Sequence, residues 1–217
     1  MEASTVRIDL TSVVLAGDLV VPSSPCGLVL FAHGSGSSRH SPRNQYVAGQ
    51  LQEAGLGTLL MDLLTDEEDT SRAARFDIAL LADRLAGATD WVGRQPPLRS
   101  LPVGYFGAST GAAAALIAAA ARPGEIAAVV SRGGRPDLAA DALPRVQAPT
   151  LLIVGGHDED VLALNEAAYR RLRCRKELTV VPGATHLFEE PGTLEEVARL
   201  AAAWFVRHLR IETATTS

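Results

Sequence analysis

The 217-residue sequence is 47% hydrophobic, 21% charged and 5% aromatic, with a net charge of −5 at pH 7. That length and balance describe one globular domain over 1–217 and exclude a disordered chain or a basic nucleic-acid binder. The cations are lopsided, 19 Arg against the single Lys176. Together with 35 Ala this reads first as a coding bias of the source genome, although arginine also suits carboxylate and phosphate recognition.

Two cysteines, Cys26 and Cys174, are too few and too far apart for a disulfide framework or a metal knuckle. The start, Met-Glu-Ala-Ser-Thr-Val-Arg, lacks a basic segment followed by an apolar core. The longest apolar run, Ala112–Ala121, has ten residues, short of the roughly 20 that a spanning helix needs. The expectation is a cytoplasmic α/β protein with a small-molecule substrate. No cofactor, metal, nucleic-acid partner or membrane partner is expected, and composition does not fix the oligomeric state.

In chain order, residues 1–22 carry β-branched and alternating runs broken at Ala16-Gly17-Asp18, which predicts one or two antiparallel edge strands. Six buried-strand runs follow: Leu28–Ala32, Thr58–Leu63, Val103–Phe106, Ile126–Val130, Thr150–Val154 and Glu177–Val181. Helical patterns fall between them at 42–55, 71–93, 110–121, 136–142 and 160–173, and a last one at 193–209. This alternation predicts a mostly parallel sheet with helices on both faces. The 110–121 segment is apolar all round and should be the most buried helix. In the last helix Thr193 and Glu196 predict a capping box ahead of a stripe through Val197, Leu200, Ala201, Trp204, Phe205 and Leu209. The polar tail 212–217 is expected to fray.

Ligands of open parallel sheets bind outside the carboxyl ends of the strands, and here those ends carry reactive residue types. Gly107-Ala108-Ser109-Thr110-Gly111 stands between a strand run and an Ala-rich helix, the setting of a nucleophile elbow. Small residues two before and two after Ser109 let strand and helix approach each other. The alternative is a serine that merely caps the helix. A serine hydroxyl needs a base, and of the five histidines His186 alone lies downstream of both Ser109 and a strand-end acid. His33 and His157 suit structural roles, His40 lies in a polar loop, and His208 sits near a helix C-terminus. Asp158, in the frame Gly155 to Val161, is the leading carboxylate to orient the base, with Asp137 competing; Glu159 and Asp160 better fit the next helix start. Two N–H groups are needed for an oxyanion. Thr110 follows the nucleophile and supplies one; Ser35, or its neighbour Gly34, supplies the other from the turn His33-Gly34-Ser35-Gly36. That turn lacks the spacing of a dinucleotide or Walker loop.

The His33-Gly34 turn, the Gly107–Gly111 elbow, the Gly155–Val161 frame and His186, in the order Ser, Asp, His, resemble the dienelactone-hydrolase-like α/β-hydrolases over nearly the whole chain. The resemblance implies an α/β-hydrolase fold and serine hydrolase chemistry without a cofactor. It departs at one position: dienelactone hydrolases proper use a cysteine nucleophile where this chain has Ser109, which favours general ester hydrolysis.

Nineteen residues separate Val130 from Thr150, too few for a sizeable cap domain, and an open site suits small or water-soluble carboxylic esters. Arg39 and Arg43 in one strand-end loop and Arg132 and Arg135 in another read as an anion clamp for substrate. The competing reading pairs these arginines with Asp66, Glu67, Glu68 or Asp137. Lactone, thioester or amide hydrolysis fits the same residues, and a non-catalytic scaffold serving a protein partner is the reading from a different class.

Overall fold

Residues 3–209 are described in the computed structural model. The frayed tail expected at 212–217 lies outside the described residues. Runs of apolar residues without alternation demand burial on both faces, and the central strands have it. The strands are β1 (Ser4–Asp9), β2 (Val14–Val20), β3 (Leu28–Ala32), β4 (Gly57–Met61), β5 (Val103–Ala108), β6 (Ile126–Arg132), β7 (Thr150–Gly155) and β8 (Lys176–Val181). They form one sheet in the order β1-β2-β4-β3-β5-β6-β7-β8. β1 pairs antiparallel with β2, and β2 antiparallel with β4; every other pairing is parallel.

Two apolar layers sandwich this sheet. On one face Val29, Phe31 and Phe106 pack against α1 (Pro42–Glu53) and α6 (Thr193–His208). On the other, Leu28, Leu30 and Tyr105 pack against α3 (Ile78–Arg94) and α4 (Thr110–Ala121), with α5 (Glu159–Arg171) contributing Ala168. The Ala-rich sequence of α4 is what lets it lie so close to the sheet, and ten of its twelve residues are buried.

Three local expectations are corrected. The 71–93 pattern breaks into the short helix α2 (Arg72–Arg75) and α3, because the Asp77 carboxylate accepts from the Leu80 N–H at 3.0 Å and starts a new helix. The 136–142 helix does not form: a short 3₁₀ turn, Pro136–Ala139, takes its place and a second, Leu143–Arg145, follows just beyond it, each with a proline in its first turn. The Thr193–Glu196 capping box does not form. Gly192, in the left-handed region at φ 82°, occupies the cap; Thr193 donates to the Glu190 carbonyl and Glu196 binds Arg199. No cap domain is inserted between β6 and β7. No described helix is long and apolar enough to cross a membrane.

The reversal of strand order places the site. From β3 the chain moves out to β4, then returns to the other side with β5 and runs on to β6, so the loops after β3 and β5 part from each other and leave a crevice. Ala32 pairs with Gly107 at that point. The close approach of α4 to β3 requires Gly111, where a Cβ would drive into the Ala32 carbonyl, and Gly107, where it would strike the backbone of α4 at Ala112.

Two stability predictions follow from this packing. Gly111→Ala must displace backbone, so it should cost about 1–3 kcal/mol or more in urea unfolding. Tyr105 is fully buried, its hydroxyl 2.6 Å from Thr89 Oγ1, and burial pushes its phenol from 10.0 up to about 12. A raised folded pKa means that this contribution is complete below the unfolded value and is lost as pH rises through the folded one. Stability should therefore fall between about pH 10 and 12, and Tyr105→Phe should flatten that fall in denaturation curves while costing about 1 kcal/mol at pH 7.

Candidate active site

Ser109 sits between β5 and α4 with φ 50° and ψ −120°, a backbone conformation that a non-glycine residue adopts only when its surroundings compel it. The compulsion is visible. Its N–H donates to the Arg132 carbonyl at 3.2 Å, while its own carbonyl accepts from Ala112 at 3.1 Å and Arg135 at 3.0 Å. Held this way, the side chain makes no cap bond to α4, so the helix-capping reading of Ser109 fails. The hydroxyl faces a cavity of about 730 Å³ that His186 also lines. No hydrogen bond joins the two side chains among the described residues.

The His186 loop is fastened over the end of β7. Gly156 and His157 donate their N–H groups to the Val181 and Ala184 carbonyls, both at 2.9 Å. A Cβ at Gly155 would meet the Thr185 carbonyl at 2.7 Å, so the strand end must be glycine for the loop to settle there. Downstream, Glu190 accepts from both the Thr185 N–H at 3.0 Å and its hydroxyl at 2.6 Å, and Phe188 turns through φ 56° as a buried anchor. These contacts bring His186 Nδ1 to 2.6 Å from Asp158 Oδ2, the Nδ1–H donating. Nε2 is thereby left as the ring's free nitrogen. Asp158 is the acid that His186 meets; Asp137 is engaged by Arg135 through two bonds of 2.9 and 2.8 Å.

The turn after β3 packs on the nucleophile from the other side. A Cβ at Gly34 would lie 3.1 Å from that of Ser109. His33 fixes the turn: Nδ1–H donates to the Gly34 carbonyl at 2.9 Å, and Nε2 accepts from the Leu63 N–H at 3.1 Å. That bears out a structural role for His33. The Ser35 N–H, expected to face an oxyanion, donates to Thr110 Oγ1 at 2.8 Å. The threonine after the nucleophile therefore ties the turn to the start of α4, a contact that sequence spacing does not announce.

A second unannounced residue is Asn165. It is fully buried on α5 and donates through Nδ2 to the Gly134 carbonyl at 2.9 Å, bracing the segment whose Arg135 N–H holds Ser109. Its signal was a lone asparagine on the buried face of an amphipathic helix.

The four loop arginines divide. Arg39 binds Asp62 and, at 3.4 Å, Asp18, so it pins the loop to the sheet and is absent from the wall of the Ser109 cavity. Arg135 pairs with Asp137. Arg43 lines the cavity and reaches Glu189 at 3.2 Å. Arg132 lines it too and has no ion-pair partner among the described residues. As a clamp for substrate, Arg39 is thus corrected to a structural ion pair, and Arg43 and Arg132 face the cavity.

No protein-family model matches the sequence. Curated relatives from Mycobacterium tuberculosis, named putative phosphoribosyl transferases, are 62% identical over 204 residues, covering 94% of this chain and 46% of their own length. The chain therefore spans about half the length of the curated relatives it matches. Among solved structures, a dienelactone hydrolase from Anabaena variabilis superposes with a TM-score of 0.95 at 59% identity, covering 96% of this chain and 99% of that one. Est1E from Butyrivibrio proteoclasticus (TM-score 0.80, 17% identity, 94% and 98% covered) shares the fold, as does an alpha-beta serine hydrolase homologue from Coxiella burnetii (0.79, 19%, 94% and 97%). With near-complete mutual coverage at 59% identity, the chain belongs to the dienelactone hydrolase family of α/β-hydrolases.

Proposed function

We propose that the protein is a serine hydrolase that cleaves small, water-soluble carboxylic esters, with Ser109 as nucleophile, His186 as base and Asp158 as its orienting carboxylate. The observation that carries this reading is the juxtaposition of a strained, uncapped Ser109 and an Asp158-bound His186 on one cavity. In the first half-reaction Ser109 Oγ bonds to the acyl carbon while His186 Nε2 takes the hydroxyl proton. The carbonyl electron pair moves onto oxygen and is met by the Thr110 N–H together with the turn at Gly34 and Ser35. Collapse breaks the bond to the alcohol oxygen, which leaves with the proton from His186. Water then gives a proton to His186 and its oxygen to the acyl carbon. The second collapse expels Ser109 Oγ, which recovers its proton, so ester and water become acid and alcohol.

The oxyanion assignment needs one amendment to the sequence expectation. Because Thr110 Oγ1 already accepts from Ser35, Ser35 must share its N–H with the oxyanion or yield the role to Gly34, whose N–H has no protein acceptor among the described residues. The site is open and has no cap, which suits compact polar substrates. Lactones and thioesters present the same electrophile and would be attacked by the same residues. The mycobacterial relatives are named putative phosphoribosyl transferases and are matched over 46% of their length; in the matched part, a serine, histidine and carboxylate so arranged support hydrolysis.

Ser109→Ala should lower kcat/KM for a short p-nitrophenyl ester by about 10⁴-fold or more, and a fluorophosphonate probe should label the wild type at Ser109 alone. Unimpaired hydrolysis by the alanine variant would reject the assignment, and failure to label would favour the scaffold reading. Asp158→Asn, which leaves His186 without its carboxylate, should lower kcat by about 10²- to 10⁴-fold with little change in KM.

A further inference from the structure

The segment that closes β6 borders both reacting side chains. Ser109 donates its N–H to the Arg132 carbonyl and accepts from the Arg135 N–H. Gly133, at φ 51°, lies against the other partner: a Cβ there would come within 3.2 Å of the His186 carbonyl and 3.5 Å of its Nδ1. A shift of residues 132–135 therefore moves Ser109 relative to His186. Two adjacent glycines give such a segment the freedom to shift. The Gly133 N–H is tied to the Ile153 carbonyl at 2.8 Å. Gly134 is tied by a side chain, the amide of Asn165, 31 residues on.

Asparagine is an unfavourable choice for that place. Position 165 is fully buried on α5, where a leucine would fill the same space without an amide to desolvate. Nδ2 donates to the Gly134 carbonyl at 2.9 Å and to the Val161 carbonyl at 2.8 Å. Both partners are acceptors, so the amide can present only its nitrogen to them. Oδ1 is left buried with no partner among the described residues, a burden that a residue serving packing alone would not carry. The bond to Val161 stays within one turn of α5; the bond to Gly134 is the one that leaves the helix.

The same helix begins at the acid. Asp158 is the N-cap residue of α5 and holds His186 Nδ1 at 2.6 Å, and Asn165 follows about two turns later. α5 thus meets the base through its first residue and the support of the nucleophile through Asn165.

Resting on the esterase reading of this site, we propose that Asn165 is a positioning residue for the reaction. Its amide locks α5, and with it the Asp158–His186 pair, to the segment that holds Ser109, and so sets the approach of His186 Nε2 to the Ser109 hydroxyl. Proton transfer between those two atoms is sensitive to displacements of about 1 Å, and the clamp at Gly134 acts on that distance rather than on substrate binding.

Two variants separate this role from a merely structural one. Asn165→Leu keeps the volume and removes both bonds. Asn165→Thr keeps a hydroxyl that can bond within the helix to Val161, but its shorter side chain stops short of Gly134. With a short p-nitrophenyl ester, both should lower kcat by about ten- to hundredfold while KM stays within about twofold of wild type. The rate at which a fluorophosphonate labels Ser109 should fall in parallel, in protein shown by urea unfolding to be folded. A structural role alone predicts a lower urea midpoint with kcat and labelling rate of the folded protein unchanged. Wild-type kcat and labelling in Asn165→Thr overturn the inference whatever Asn165→Leu does, including failing to fold. If the wild type hydrolyses the ester, Ser109→Ala abolishes that activity and Asn165→Thr leaves it intact, this inference falls and the esterase reading stands. A wild type that neither hydrolyses the ester nor labels rejects that reading and this inference with it.

Discussion

Everything at the site depends on one forced turn. Ser109 adopts a left-handed backbone conformation because strand β5 must become helix α4 within a single residue; glycine at 107 lets β5 and α4 come that close, and glycine at 111 lets α4 close on the end of β3. Strain of this sort costs of order 1–3 kcal/mol and persists only if the surroundings over-determine it. Here the N–H of Ser109 is held by the last residue of β6 and its carbonyl by Arg135 in the segment that follows, and that segment is in turn held by Asn165. The strain is therefore borne by a buried polar network rather than by local preference. Truncating Asn165 would act on the nucleophile without touching it.

The other functional groups are positioned by the same device, a strand end closed over by a loop. Gly155 admits the His186 loop, and Glu190 cinches it. His33 fastens the turn after β3 to the chain following β4, and Thr110 fastens that turn to α4. Each clamp crosses between neighbouring parallel strands, so the relative placement of the three loops inherits the rigidity of the sheet. That is how Ser109 and His186, far apart in sequence, come to line one cavity with Asp158 bonded to His186, without a cap domain between β6 and β7 to press them together.

Much of this was legible in the sequence because the relevant signals are local. The unalternated runs at Leu28–Ala32 and Thr150–Val154 can only be doubly buried strands, and the Gly-x-Ser-x-Gly spacing states its steric reason in its own residues. The illegible parts depend on tertiary partners. Thr193 and Glu196 have the right spacing for a capping box, but Gly192 reaches the left-handed cap more easily and Glu190 captures the threonine. Nothing in the run 71–93 marks the break at Asp77 as stronger than helical continuity, since an aspartate reads equally as an exposed helix residue. Ser35 looks like a free donor until Thr110 is seen beside it in space, 75 positions on.

The arginines show the limit of compositional reasoning most directly. A genome that favours arginine over lysine supplies guanidiniums everywhere, so their abundance says nothing about function. Pairing does discriminate. Arg39, Arg75, Arg84 and Arg135 each sit on a carboxylate and hold a loop or a short helix in place, which is the ordinary fate of a cation on a protein carrying 25 acids against 20 bases. With acids in excess, a buried arginine that finds none is conspicuous for a reason independent of its family. At Arg132 the strand register has placed a buried guanidinium that meets no acid among the described residues, so its charge is carried by the fold itself rather than by a partner.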